Sequence, residues 1–246
     1  MPKQPELVWL DNLTPKSTRF DDTYYSRTDG LEETRYVFLD GNGLPDRWWA
    51  GDNPVIGELG FGTGLNFLAT WLAHGSAVQG LDGSARSAQQ SLTFVSVEKY
   101  PMDRMSLLTA LSPWEILHPL ANQLAAAWQP EQAGWQALSF DGVRLLLYIG
   151  DAVDALATMP VAVDAWYLDG FNPKTNPDLW SGALMQAVFD ASTDHATLAS
   201  YTAAGWVRRN LQAAGFSIAK RKGFGHKRDM ITGCKPPSSL SSHSEK

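Results

Sequence analysis

The sequence predicts an α/β fold built on a mostly parallel central sheet with an antiparallel edge pair. Three observations predict it. Apolar runs close on acids at Glu58, Glu98 and Asp169, as strands do when both faces are buried and the carboxyl end opens on a crevice. Segments with apolar residues at helical spacing separate those runs. The first run leads through Gly60-Phe61-Gly62-Thr63-Gly64 into Leu65-Asn66-Phe67-Leu68-Ala69-Thr70-Trp71-Leu72, which reads as strand, tight turn and helix. Glycine at such a bend takes φ > 0 and lets a ligand approach the backbone. The helix N-terminus behind it offers free N–H groups.

Taken in order, residues 1–18 are polar and proline-spaced, with a short strand at 7–10. Residues 19–26 and 30–39 are dense in aromatics and acids, and 1–50 reads as a flank or lid across the ligand cleft. A turn at 40–45 follows by composition, and Trp48-Trp49 is expected to bury against the sheet edge. Residues 51–234 form the main domain. The helix after the glycine turn runs over 63–74, and 75–91, poor in large apolar groups, reads as a mobile surface loop. The second strand is 92–98. Residues 101–128 are helical by pattern, broken at Pro113 and Pro119. Two strands, 135–140 and 143–149, flank Asp141-Gly142, a strong hairpin signal. A short helix at 152–159, a strand at 163–169, a helix at 176–191 and a strand at 195–202 come next. A helix at 203–214 is stopped by Gly215, and 216–221 pairs with 228–232. The tail, 235–246, carries two prolines and five serines and is expected to be disordered.

Composition narrows the function. With 44% hydrophobic and 19% charged residues in 246, the chain is a soluble globular protein with ample length for a core. No apolar stretch nears about 18 residues, so no membrane span is expected. The N-terminus lacks the apolar core of a secretory signal, which makes a cytoplasmic location the expectation. One cysteine, Cys234, builds neither a disulfide nor a cysteine zinc cluster, and no His/Asp/Glu spacing suggests a metal. The net charge is −6, yet residues 200–235 hold Arg208, Arg209, Lys220, Arg221, Lys222, Lys227, Arg228 and Lys235 against Asp229 alone. A basic segment on an acidic body suits an anionic partner.

The glycine turn departs from the dinucleotide pattern G-x-G-x-x-G, because Leu65 stands where that pattern needs its last glycine. Its acid-x-Gly-x-Gly-x-Gly form, Glu58 to Gly64, resembles the first motif of class I S-adenosylmethionine (SAM) methyltransferases, a Rossmann-like fold. Four stretches extend the likeness: Phe20-Asp21-Asp22 through Gly30-Leu31-Glu32-Glu33-Thr34-Arg35-Tyr36-Val37-Phe38, the glycine turn with Asn66-Phe67, Leu168-Asp169-Gly170-Phe171-Asn172-Pro173, and Lys220-Arg221-Lys222-Gly223-Phe224-Gly225. With these, the chain to about Gly233 resembles the methyltransferase domain of the bacterial bifunctional tRNA 5-methylaminomethyl-2-thiouridine biosynthesis family, or its free-standing relatives.

The resemblance implies methyl transfer from SAM to the aminomethyl nitrogen at C5 of the wobble uridine, in the anticodon loop of tRNA. It implies a fused or separate FAD-dependent oxidase acting upstream; this chain has no second glycine-rich nucleotide motif, so oxidase activity is not expected of it. Expected cofactor contacts are Glu58, Gly60, Phe61, Gly62, Thr63, Gly64, Asn66, Glu98, Lys99, Gly150, Asp151 and Asp169. Glu98 suits the ribose hydroxyls, and Asp151 the adenine amino group or a helix cap. Expected substrate contacts are Tyr24, Tyr25, Phe171, Pro173, Lys220, Arg221, Lys222, Phe224 and Lys227, with Phe171 and Tyr24 or Tyr25 stacking on the base and the basic side chains toward phosphate. Asp169 is the expected catalytic carboxylate, placed to take a proton from the acceptor amine. Two other functions stay open: a SAM methyltransferase for a small amine or protein side chain, and a non-catalytic RNA-binding module. A small-molecule enzyme has no use for the basic segment, and intact Glu58, Glu98 and Asp169 argue against a vestigial pocket.

Overall fold

The structure, a computed structural model, describes residues 2–44, 46–47, 53–79 and 91–237. Trp48-Trp49, most of the loop placed at 75–91 and the tail beyond 237 lie outside the described residues. Eleven strands and seven α-helices are described. A three-stranded antiparallel sheet holds β1 (Leu7–Trp9), β2 (Pro15–Ser17) and β3 (Asp22–Thr23). The main sheet holds β4 (Val55–Leu59), β5 (Leu92–Glu98), β6 (Gly134–Phe140), β7 (Val143–Ile149), β8 (Val163–Leu168), β9 (Ser192–Ser200), β10 (Ser217–Lys222) and β11 (Asp229–Cys234). Their spatial order is β10-β11-β9-β8-β4-β5-β7-β6. The central strands β9, β8, β4, β5 and β7 pair in parallel, while both edges are antiparallel.

Strand alternation divides the core in two. Ile56, Phe94, Leu145, Tyr167 and Ala199 face one side, against α1 (Gly30–Thr34), α2 (Leu65–Gln79), α3 (Arg104–Leu111) and α4 (His118–Ala127). Leu59, Val97, Trp166, Leu168 and Leu198 face the other, against α5 (Ala152–Ala157), α6 (Gly182–Asp190) and α7 (Gly205–Ala214). Burial on both faces explains the nearly unbroken apolar run of β8. From β4 the chain steps to β5 on one side, and it later returns to β8 on the other. That reversal leaves a crevice at the carboxyl ends of β4 and β8, where open α/β sheets bind ligands.

Several boundaries differ from the sequence reading. The helix after the glycine turn starts at Leu65 and runs to Gln79, beyond 74. Pro119 does not break a helix: it occupies the first turn of α4, where its missing N–H costs nothing. The helix expected over 176–191 is two pieces, a 3-10 turn at Pro177–Trp180 and then α6, whose cap Ser181 accepts from Leu184 N–H. Strand β9 begins at Ser192 instead of 195, because a register irregularity against β8 is absorbed at His195, φ 64°. The antiparallel edge pair is present, and β6 adds a second antiparallel edge. The N-terminal flank is partly core: Leu31, Val37, Phe38 and Leu39 are buried, and Phe38 stacks on Tyr167 at 5.1 Å. Lys235 is held, its N–H donating to Ala196 O and its Nζ to the carbonyls of Phe189 and Ser192.

Candidate active site

A cavity of about 560 Å³ opens at the crevice. Each central strand delivers one part of its wall. After β4 the backbone turns at Gly60 (φ 92°), Gly62 (φ 56°) and Gly64 (φ 76°), the left-handed region that only glycine enters freely. The N–H of Gly62 donates to Glu98 Oε2 at 2.7 Å, and that of Tyr100 to Glu98 Oε1 at 2.7 Å. The acid that ends β5 therefore braces the turn that ends β4. Burial raises Glu98 above the usual carboxylate range, and those backbone N–H groups oppose the rise. After β7, Asp151 caps α5 by accepting from Val153 N–H and pairs with Lys99 Nζ at 2.8 Å. The Lys99 ammonium holds Asp151 below its ordinary range.

Asp169 follows β8. Its Oδ1 accepts from Gly170 N–H at 2.8 Å and its Oδ2 from Asn66 Nδ2 at 2.8 Å. Burial pushes its carboxyl up to about 7; the two donors and Lys227 oppose this, and Glu33 adds to it. A carboxyl so placed is half-ionised near neutral pH, suited to accepting a proton there.

Residues of the N-terminal segment, among them Phe20, Tyr24 and Tyr25, also line the cavity. Phe171 stacks on Phe20 at 4.7 Å and meets Tyr24 edge-on at 4.9 Å. Tyr24 lies over the glycine turn, with its Cδ1 only 3.1 Å from where a Cβ on Gly62 would stand. Tyr25 lines the wall too, but its ring packs on Trp114 and its hydroxyl donates to Ala110 O at 2.8 Å, which ties it to the scaffold.

The cavity gathers Gly60, Phe61, Gly62, Thr63, Asn66, Glu98, Lys99, Gly150, Asp151 and Asp169 of the expected cofactor contacts, and Tyr24, Tyr25, Phe171 and Lys227 of the substrate set. Glu58 and Gly64 do not line it. Glu58 is 1% exposed beneath the turn, where Ser96 Oγ and Asn66 Nδ2 donate to its carboxyl at 2.6 and 2.9 Å. The Phe61 ring stacks on Trp128 at 5.3 Å, so its side chain serves the core. Pro173, Lys220, Arg221, Lys222 and Phe224 also lie off the wall. Lys220 pairs with Asp229 at 2.6 Å, Arg221 donates to Asp40 O at 3.2 Å, and Phe224 meets Tyr36 at 6.0 Å. Among the described residues, no group of three or more His, Cys, Asp or Glu is placed to hold a metal ion.

Glu33, Thr34 and Tyr201 are among the wall residues that the expected contacts left out. Tyr201 follows β9, the position that singled out Asp169 on β8, and its hydroxyl donates to Gly170 O at 2.9 Å. Glu33 meets Lys227 Nζ at 2.7 Å, and that ammonium sits 4.6 Å above the Tyr201 ring. Lys227→Met should leave Glu33, 11% exposed, without its partner. We expect a loss of about 1–3 kcal/mol, near the lower end because Lys227 is half-exposed. Urea unfolding checks this, and an unchanged midpoint would show the pair to be energetically idle.

A family model described as S-adenosyl-L-methionine-dependent methyltransferase matches residues 115–236. The bifunctional tRNA 5-methylaminomethyl-2-thiouridine biosynthesis protein MnmC of Ectopseudomonas mendocina is 45% identical over 233 residues, 93% of this chain. The chain belongs to this methyltransferase family. The MnmC protein of Nitrosospira multiformis is 47% identical over 89% of the chain. The chain spans about a third of the length of these curated relatives, 34% and 35%. The solved structure of MNMC2 from Aquifex aeolicus superimposes with a TM-score of 0.70 at 17% identity, over 96% of this chain and 73% of that one, a likeness of fold.

The family's methyl donor is SAM, a cation at sulfur, and this methyltransferase's cavity suits it. The glycine turn is a cradle that side chains would fill. The wall carries Asp22, Glu33, Glu98, Asp151, Asp169 and Asp178, and two of its four cations, Lys99 and Lys227, are already paired with acids. No helix among the described residues is long and apolar enough to cross a membrane.

Proposed function

We propose that this chain methylates the aminomethyl nitrogen at C5 of the wobble uridine, in the anticodon loop of tRNA, giving 5-methylaminomethyl-(2-thio)uridine in the cytoplasm. The observation that carries the reading is Asp169, a carboxyl at about 7 on the wall of a glycine-cradled cavity, in a chain 45% identical to a protein named for this modification. Residues 1–50 serve as the flank that closes over the base and 51–234 as the methyltransferase body. The relatives' full length leaves room for an upstream oxidase, FAD-dependent in our reading.

Bound SAM supplies a methyl group on a positively charged sulfur. The glycine turn and Glu98 would hold the donor, with Glu98 available to accept from the ribose hydroxyls and Asp151 from the adenine amino group. Ionised Asp169 attracts the acceptor ammonium and takes its proton, which frees the nitrogen lone pair to form the new C–N bond; the methyl–sulfur bond would break with its electron pair left on sulfur, and the donor would leave as the neutral thioether S-adenosylhomocysteine. Phe171 and Tyr24 offer aromatic edges and faces to the extruded base. The flank keeps water from the reacting nitrogen.

The basic edge strand separates a tRNA substrate from a small amine. Replacing Lys220, Arg221 and Lys222 with alanine should weaken tRNA binding and reduce the log–log salt slope by about 2. SAM affinity should stay unchanged, because none of the three lies on the cavity wall. Fluorescence titration of tRNA at several salt concentrations measures this. A wild-type slope in the triple variant would turn the reading toward a small-molecule acceptor.

A further inference from the structure

We propose that Asn66 is a positioning residue for Asp169 and not a ligand of the cofactor, with the orientation of its amide set by Thr34 of the N-terminal flank. The inference rests on Asp169 being the base of the proposed reaction.

The geometry leaves Asn66 little else to do. It is 7% exposed, in the first turn of α2. An asparagine amide has two N–H donors and one acceptor oxygen. One donor goes to Glu58 Oε1 at 2.9 Å and the other to Asp169 Oδ2 at 2.8 Å. The oxygen accepts from Thr34 Oγ1 at 2.7 Å, and Thr34 is 3% exposed. A flipped amide would turn its oxygen toward two carboxylates and its donors toward a hydroxyl. With both donors spent, none remains for a ligand. Glu58, the acid of the glycine motif, thereby acts on the cavity at one remove: it fixes the amide that fixes the base.

A donor on an ionised carboxylate favours the ionised form. Asp169 is crowded by groups of both signs. Glu58 lies beneath it on β4, Glu33 on α1, Lys227 on the turn between β10 and β11, and the Tyr201 hydroxyl beyond β9. Removing the Asn66 donor takes away support for the anion, so the pKa of Asp169 should rise further. A general base acts only when deprotonated, so the rise of rate with pH should move to higher pH. The loss should be large below neutrality and small above pH 9. A purely structural defect would depress the rate at every pH alike.

The test is the pH profile of single-turnover methyl transfer in the full chain with saturating SAM and undermodified tRNA. It compares wild type, Asn66→Ala, Thr34→Val, Thr34→Ser and Asp169→Asn. In Asn66→Ala the rising limb should shift upward by about one to two pH units, with SAM affinity by calorimetry within about threefold of wild type. Thr34→Val, nearly isosteric, should shift the limb the same way by less, and keeps the test alive if Asn66→Ala fails to fold. Thr34→Ser, which retains the hydroxyl, should restore the wild-type limb. An unshifted limb in folded Asn66→Ala or, failing that variant, in Thr34→Val would overturn the proposal. So would a loss of SAM affinity of tenfold or more in Asn66→Ala. A limb that survives in Asp169→Asn would instead remove the base itself, and the proposed mechanism with it.

Discussion

Asp169→Asn should slow single-turnover methyl transfer by about 10²–10⁴-fold, the usual cost of losing a general base. SAM affinity should stay within about threefold of wild type. The structure makes the substitution sharper than shape alone suggests. Both oxygens of Asp169 accept, one from Gly170 N–H and one from Asn66 Nδ2. An amide has a single acceptor oxygen, so Asn at 169 would set its NH₂ against one of those donors. A rate effect by itself would therefore mix lost basicity with a disturbed hydrogen-bond network. The pH profile separates them. Burial pushes Asp169 up to about 7, so the wild-type rate should climb through neutrality and level off above it. In the variant that limb should vanish and leave a slow, flat profile. A rate within about threefold of wild type, about 0.7 kcal/mol in barrier, would take Asp169 out of the chemistry.

Gly62→Val should weaken SAM binding at least about 100-fold while the chain still folds. Gly62 sits at φ 56°, and a Cβ there would stand 3.1 Å from the Tyr24 ring. A β-branched residue pays about 1–2 kcal/mol for that backbone conformation, and its methyls would project into the space between turn and flank. Gly62 N–H also braces Glu98, so any shift of the turn moves the carboxylate expected at the ribose. Gly142→Val is the control. Its φ is 67°, it has open space around it, and it lies in a hairpin off the cavity wall. It should share the backbone cost and leave SAM affinity unchanged. Calorimetry giving wild-type affinity in Gly62→Val would show that the glycine turn does not hold the donor.

The parallel centre of the sheet was legible because strands buried on both faces must be apolar throughout, and their ends carry the polar residues of the crevice. That logic located Glu98 and Asp169. It misplaced Glu58 by one residue. β4 ends at Leu59, so Glu58 lies inside the strand, and alternation turns its buried side chain to the same side as Ile56, opposite Leu59. Tyr201 stands at a strand end as Asp169 does, but a search for acids passes over it. Glu33 and Thr34 could not be assigned from local pattern. Their partners, Lys227 and Asn66, are distant in sequence and meet them only through the fold. Summed charge found the basic segment without resolving its members. Lys235 anchors carbonyls of the α6–β9 region, Lys227 lines the cavity, and Lys222 stays on the exposed edge strand.

The central claim is chemical and has a direct measurement. The purified chain is incubated with methyl-labelled SAM and tRNA that carries 5-aminomethyl-2-thiouridine at the wobble position, and the tRNA is then digested to nucleosides. The account predicts label in 5-methylaminomethyl-2-thiouridine alone, and an initial rate of labelling lower by about 10²-fold or more when Asp169→Asn replaces the wild type. Label in another nucleoside, or none in tRNA while the chain binds SAM, would contradict it.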